Sequence, residues 1–525
     1  MKIRGRGSSL SIDVGTISLG RLLAFGLSLI IPLVLTRALS VEEYGVYREL
    51  SLLIITIQPI LLFGIPSSLR YFIPRSNEFE KRQYITQTFI FSVIVGFALF
   101  IFLALAGGWL TQALFHENFN EYMLVLGAHG FLLITASYIG VVMIINDDVN
   151  LASLTAIVFS ILDVFILCGG VIISRTVMGL LVAVAIASLI KFIIAVLYIS
   201  KHYKPSVTYI SYPSFKKQWT FSAPIGLSVI INLLNVNIDK FYIAFFFTQE
   251  TFGIYSIGAL ITPMILVIYR AVFDIIVPEF SKLYKQKKLS TMIRLWHEGV
   301  RKMALLFYPL FIFLFIFAND LIAILFPDAY SGSVPVFRLY LFLLPLTINL
   351  FNGVLLAAGE TKFLLKATSI AFAINLVLNW LLIIWFMEMG IGILGPPTAT
   401  VLINILLHSL LLYQIYVIMK RPISELFPWK LLGTFLGISL IAGFISIFIM
   451  LLLGFEPLGG LIALPSGYSG LIQMFDSIPE IVIRIISFAL GFVAFFLIYY
   501  SIARKMGLII KEDVDTVMRF LHLKR

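Results

Sequence analysis

Of the 525 residues, 60% are apolar, 47 are Phe and only 12% are charged, about half the charged share of an ordinary soluble chain. That composition excludes a water-soluble globular protein and makes the chain an integral membrane protein. The formal net charge of +11 falls in loops between apolar runs, so its partners are anionic lipid headgroups rather than nucleic acid.

Apolar runs long enough to cross about 30 Å of hydrocarbon occur fourteen times along the chain. The first six cover 14–38, 45–66, 85–107, 121–144, 150–173 and 177–199. Six more follow at 219–247, 253–278, 300–326, 334–358, 363–387 and 391–419, the last two separated only by Glu388 to Gly392. The final two cover 430–454 and 480–503. The first run is too long for a signal-peptide core and lacks a cleavage pattern, so it is expected to stay as the first spanning helix.

Basic residues test this order independently, because Lys and Arg collect in cytoplasmic loops. With the N-terminus inside, the cytoplasmic segments hold 29 of the 38 basic residues, whereas the outer loops hold only Arg37, Arg175 and Arg338. An error of one helix would scramble the alternation, so both termini are expected in the cytoplasm of a cell whose plasma membrane the chain spans. Ser281 to Gly299 and the tail Lys511 to Leu523 read as interfacial helices; in the tail, Val514, Val517, Met518 and Leu521 share one face.

Enzyme chemistry lacks its parts. The sequence has no G-x-x-x-x-G-K-[ST] phosphate loop and no H-E-x-x-H zinc pair, so neither a nucleotide nor a metal cofactor is expected. Cys168 stands alone within an apolar run and excludes an internal disulfide. Asn404 and His408 read as an interhelical hydrogen-bond pair. The outer loop Phe455 to Pro479 carries Glu456 and Asp476 but no His, Lys or Arg, a poor set for a membrane glycan polymerase or ligase. Asp147-Asp148 and Asp513/Asp515 read as loop and helix-start residues.

One signature occurs twice. Ser40-Val41-Glu42-Glu43-Tyr44-Gly45-Val46-Tyr47 returns 208 residues later as Thr248-Gln249-Glu250-Thr251-Phe252-Gly253-Ile254-Tyr255. Each copy joins two apolar runs on the outer side, and an even number of helices separates them, which makes the halves parallel repeats about an axis along the membrane normal. The glycine is expected to serve close packing. The fold class is therefore an all-α polytopic membrane protein: two six-helix bundles related by a pseudo-two-fold, plus two C-terminal helices. The corresponding divisions are 1–203, 204–420, 421–503 for helices 13 and 14, and 504–525 for the tail.

The four helices flanking this repeat carry most of the intramembrane charge, each such residue costing roughly 3 kcal/mol on insertion scales. Arg21, Arg48, Lys240 and Arg270 are the basic members; Asp239 and Asp274 are the acidic ones. Asn232, Asn235 and Asp239 share one face of helix 7, and Arg270 and Asp274 are spaced to pair across one turn. Asp163 and Lys191 are expected to pair between helices 5 and 6, and Glu480 with Arg484 at the start of helix 14. Pro32, Pro59, Pro224 and Pro263 place bends in the same four helices.

These residues resemble a known family. Thr36-Arg37-Ala38-Leu39-Ser40 to Tyr47, Phe63-Gly64-Ile65 and Arg70-Tyr71 are similar to the opening of polysaccharide flippases of the multidrug/oligosaccharidyl-lipid/polysaccharide exporter superfamily. Phe221-Ser222-Ala223-Pro224, Asn237 to Lys240, Pro278 to Ser281, Ala357 to Lys362, Asn375 to Asn379 and Gly390 to Gly392 continue the resemblance to about residue 420. Gly395-Pro396-Pro397 departs from the family's small-residue run. The resemblance implies two bundles forming a V, and a lipid-linked oligosaccharide flipped from the cytoplasmic to the outer leaflet through the cavity between them. It implies cavity roles for Arg21, Arg48 and Arg270, by analogy with peptidoglycan-precursor flippases, and a lipid-tail groove at helices 13 and 14. Lys240 joins the candidate substrate-binding set; Asp239, Asp274 and Asn235 are candidates for ion coupling or ion pairing. Expected partners are the lipid-linked oligosaccharide, membrane lipids and glycosyltransferases or a polymerase of the same pathway. A cation-coupled drug exporter of the same superfamily, a glycan polymerase or ligase, and a scaffold for glycan assembly remain as alternatives.

Overall fold

The computed structural model describes residues 20, 23–453, 455 and 480–509. Arg21, the expected interfacial helix at 511–523 and nearly all of the outer loop 455–479 lie outside them. Among the described residues the ordered elements are helices. In chain order these are α1 (Ile30–Ala38), α2 (Val41–Leu62), α3 (Ile65–Phe72), α4 (Glu78–Phe115), α5 (Asn120–Ala136), α6 (Ile139–Ile145), α7 (Val149–Ser174), α8 (Val177–Tyr203), α9 (Tyr212–Phe246) and α10 (Gln249–Gly258). They continue with α11 (Ile261–Lys285), α12 (Leu289–Ile316), α13 (Ala318–Leu325), α14 (Ser333–Leu341), α15 (Leu343–Thr347), α16 (Phe351–Ala357) and α17 (Thr361–Glu388). The last are α18 (Gly395–Met419), α19 (Ile423–Leu426), α20 (Trp429–Leu452) and α21 (Glu480–Lys505).

Twelve helices among the described residues are long and apolar enough to cross a membrane, and each coincides with one of the fourteen expected spans. Of the other two, the first is represented by the shorter apolar helix Leu23–Ala38. The second is divided: α10 and α11 meet at Ala259 and Leu260, just before Pro263. Two counted spans are also interrupted, α5 from α6 at Tyr138 and α14 through α16 at Leu350, whose φ is +57°. The narrow split at Glu388 to Gly392 is real: α17 stops at Glu388, Gly390 turns the chain with φ +74°, and α18 begins at Gly395. The departure at Gly395-Pro396-Pro397 fits that start. A Cβ on Gly395 would lie 2.8 Å from the Ile383 nitrogen, and proline in a first helical turn sacrifices no hydrogen bond.

Packing divides the chain into two compact units, 1–256 with 368–396, and 257–367 with 397–525. The line differs from the repeat-based division at 203 and 420, because α9 and most of α17 pack within the first unit. In that unit α4 lies along α5, α5 along α8, and α7 along α8, while α9 runs against α2, α3 and α4. Its apolar centre includes Leu69, Phe72, Tyr84, Tyr138, Val142 and Ile199. At 38 and 35 residues, α4 and α9 reach roughly 57 and 52 Å at 1.5 Å per residue, beyond the hydrocarbon thickness. Both ends of α4 and the start of α9 therefore project past the expected apolar spans. In the second unit, α12 is the buried centre, with α20 packed on it and α21 against α20 and α13; Trp296 is fully buried and donates to the Asn349 carbonyl at 2.7 Å.

The repeated signature is a helix start. Ser40 and Glu43 form a reciprocal capping box, satisfying backbone groups that lack intrahelical partners; in the second copy Thr248 Oγ1 accepts from the Thr251 N–H at 3.4 Å. The glycines explain the rest. A Cβ on Gly45 would fall 1.8 Å from the Gln249 carbonyl oxygen, and one on Gly253 would fall 2.7 Å from the Val41 oxygen. The two copies thus pack against each other, each glycine receiving the other's backbone. A second close approach lies in the turn between α2 and α3, where Gly64, with φ +74°, meets Gly226 of α9.

Candidate functional site

The capped start of α2 directs Tyr44, Arg48 and Glu49 into the first unit. Tyr44 and Glu49 are buried, and Arg48 is half-buried with its Nε enclosed and without a hydrogen-bond partner among the described residues. Arg48 lies close enough for its charge to act on Lys240 of α9. Lys240 Nζ donates to Asn237 Oδ1 at 3.0 Å and to the Val236 carbonyl at 3.3 Å, and stands 3.9 Å from Asp239 Oδ1. The other Asp239 oxygen, Oδ2, accepts from the Tyr255 hydroxyl at 2.9 Å. Lys240 thus stands beside a carboxylate that is held by a residue of the repeated signature, and the Arg48 charge acts on that lysine. Like charges that act on one another in a poorly solvated site favour an anion nearby.

Asn235 takes part in a separate polar chain. Its Oδ1 accepts from Asn375 Nδ2 at 3.1 Å, and Asn375 Oδ1 accepts from Asn379 Nδ2 at 2.8 Å. Asn379 is fully buried, and its Oδ1 has no hydrogen-bond partner among the described residues. The motif Asn375 to Asn379 therefore supplies buried oxygens beside α9, one helical turn from Asp239. Asn232, expected on the same face, is exposed.

In the second unit Arg270 and Asp274 are exposed, and neither has a hydrogen-bond or ion-pair partner among the described residues. The i, i+4 spacing permits a pair that the side chains do not make. Away from these groups, Lys191 and Asp163 form the expected interhelical ion pair at 2.6 Å. Asn404 and His408 are corrected: they are satisfied within α18, Asn404 by the Thr400 carbonyl and His408 Nδ1 by the Asn404 carbonyl. Glu480's side chain lies outside the described residues.

Two features escaped the sequence reading. Glu49, adjacent to Arg48 but about 100° further around the helix, has no exposed surface, and both its carboxyl oxygens lack hydrogen-bond partners among the described residues. The rule that selected Arg48, an ionisable group in an apolar span, would equally have selected it. The other is Gln218, buried and donating to both Ser68 and Thr88 at 2.9 Å, which ties α9 to α3 and α4.

A family model described as "Polysaccharide biosynthesis protein" matches residues 34–335. No curated protein matches the chain over its sequence. Among solved structures, a lipid II flippase MurJ in an inward closed conformation superimposes with a TM-score of 0.71 at 14% identity, covering 93% of this chain and 99% of that one. An inward-facing multidrug resistance MATE transporter of the MOP superfamily gives 0.58 at 16% identity, covering 78% and 99%. A MOP superfamily transporter from Pyrococcus furiosus, described as having a binding pocket of reverse polarity, gives 0.55 at 15% identity, covering 78% and 96%. The chain thus shares the fold of these solved transporters, and with more than half of its length matched by the family model, it belongs to the polysaccharide biosynthesis protein family.

Proposed function

We propose that the chain is a flippase that carries a polyprenyl-(pyro)phosphate-linked oligosaccharide from the cytoplasmic to the outer leaflet by alternating access. The observation that carries this reading is that Lys240 stands 3.9 Å from Asp239 inside the first unit, with the Arg48 charge of α2 acting on that lysine. Such a pair suits the phosphate of a lipid-linked sugar and opposes a cationic drug, which separates this reading from a cation-coupled exporter of the same fold. Arg21 and Arg270 are the further cations proposed to contact the substrate. In this reading the repeat divides the chain into bundles at 1–203 and 204–420, with helices 13 and 14 accommodating the lipid tail. Both termini would be cytoplasmic in the plasma membrane, and glycosyltransferases or a polymerase of the same pathway would supply and consume the substrate.

Outward movement of an anion is favoured by a negative-inside potential, by about 2.3 kcal/mol per charge per 100 mV. A pyrophosphate would gain roughly twice that, so no bound nucleotide is required. Asp239, Asp274 and Asn235 are the residues through which a coupling ion would act. The test is leaflet transfer of a lipid-linked glycan in vesicles containing the full chain. Transfer that depends on the protein and is lost in Arg48→Gln supports the reading; absence of transfer by the folded wild type rejects it.

A further inference from the structure

A cavity of about 560 Å³ lies in the first unit between α4 and the beginning of α9. Its walls include Ile90, Phe91 and Ile94 from α4 with Phe215 and Trp219 from α9. The aromatic rings brace one another, Phe91 lying 5.8 Å from Phe215 and 6.1 Å from Trp219, while Trp219 stacks on Phe63 at 5.2 Å. Two polar groups interrupt this apolar lining. Lys216 is exposed and has no hydrogen-bond or ion-pair partner among the described residues. Gln87 is only 3% exposed; its Nε2 donates to the Ser211 carbonyl at 3.0 Å, which leaves Oε1 as a buried acceptor without a partner among the described residues. A cation and an unfilled acceptor beside an apolar cavity are what an amphiphile with an anionic group and a hydroxyl would satisfy.

The position along the helices selects the kind of amphiphile. Lys216 and Lys217 belong to the part of α9 that projects beyond the apolar span beginning at residue 219, and Tyr212 and Trp219 bracket the boundary as interfacial aromatics do. From the cavity, Ile94, Phe97, Ile101 and Leu105 continue along α4 at helical spacing, and all four are exposed. Their eleven-residue separation is about 16 Å, close to the depth of one leaflet of a hydrocarbon core about 30 Å thick. That length matches one acyl chain and is short for a long polyprenyl tail.

We propose that this cavity binds one anionic glycerophospholipid with a hydroxyl in its headgroup, of the phosphatidylglycerol type. Lys216 takes the phosphate, Gln87 Oε1 accepts from the headgroup hydroxyl, and an acyl chain lies along Ile94, Phe97, Ile101 and Leu105. The site is separate from the Arg48 and Lys240 cluster and does not depend on the substrate assigned to it.

The test uses Trp219 as the reporter, in vesicles of phosphatidylcholine containing the full chain and a minor fraction of brominated lipid. The Trp219 signal is the difference in quenching between the wild type and Trp219→Phe. Brominated phosphatidylglycerol is expected to quench it in preference to brominated phosphatidylcholine. Lys216→Gln should reduce that preference about fivefold, the effect of one basic residue near an anionic headgroup, and Lys216→Arg should retain it. Gln87→Leu should abolish discrimination between phosphatidylglycerol and phosphatidylmethanol, which lacks the hydroxyl. Equal quenching by both brominated lipids, or a preference unchanged in Lys216→Gln, overturns the proposal. Displacement of the brominated lipid by a polyprenyl phosphate but not by unlabelled phosphatidylglycerol also overturns it and gives the cavity to the transport substrate.

Discussion

Gly45→Ala tests whether the repeated signature is a packing device. The added Cβ would lie 1.8 Å from the Gln249 carbonyl oxygen and 2.5 Å from its carbon. Both atoms are backbone, so no rotamer change relieves the clash, and α2 and α10 must separate by more than an ångström. Overpacking typically costs about 1–3 kcal/mol, and this contact belongs at the upper end because the obstruction is rigid. Alanine returns up to about 1 kcal/mol of helix propensity, which leaves a net loss of about 2 kcal/mol. Gly253→Ala meets the Val41 oxygen at 2.7 Å and should lose less. Because either substitution forces the same separation, the double variant should cost less than the sum of the two. Gly437→Ala is the control, since a Cβ there has nothing within 4 Å. Unfolding of the purified chain by detergent titration, followed by tryptophan fluorescence, measures all four. A Gly45→Ala protein as stable as Gly437→Ala would refute the reciprocal contact.

Other substitutions follow from individual contacts. Lys191→Met leaves Asp163 without its partner inside the membrane and should cost about 3 kcal/mol; adding Asp163→Leu should restore most of it, and a double variant no more stable than the single removes the ion pair as the cause. Tyr255→Phe deletes the hydroxyl held by Asp239 and should cost about 1–3 kcal/mol in the same titration, whereas an unchanged midpoint would detach the repeat from the charged cluster. Asn375→Leu breaks the chain between Asn379 and Asn235 and should cost on the order of 0.6–1.7 kcal/mol, the range for hydrogen bonds between membrane helices. No loss at that position would mean that the three amides are not energetically linked.

The spans were legible because hydrophobic length is a one-dimensional property, and each of the twelve counted helices falls on an expected run. Breaks were less so. Tyr138 and Leu350 interrupt their spans without a proline at the break, since the chain bends there to satisfy packing that sequence distance conceals. Arg48, Asp239 and Lys240 were selected by the cost of charge in an apolar run, a rule that picks residues on both α2 and α9. Glu49 satisfies the same rule and was passed over beside its neighbour Arg48. Spacing alone also misplaced partners: Asn404 and His408 bond within α18, and Arg270 does not pair with Asp274 among the described residues, because i, i+4 geometry permits a contact without requiring it. Gly45 was recognisable as a repeated glycine, but the backbone that meets it, 204 residues away at Gln249, becomes visible only in three dimensions.

The central claim is that Arg48 and Lys240 form an anion site used in flipping a lipid-linked glycan. Its most direct measurement is protein-dependent transfer of a polyprenyl-pyrophosphate-linked oligosaccharide between vesicle leaflets, comparing the wild type with Arg48→Gln, Lys240→Gln and Arg48→Lys at equal amounts of folded protein. The account predicts transfer by the wild type, its loss in both glutamine variants, and partial retention in Arg48→Lys, which keeps the charge but not the planar fork. Wild-type transfer rates in both glutamine variants would contradict it.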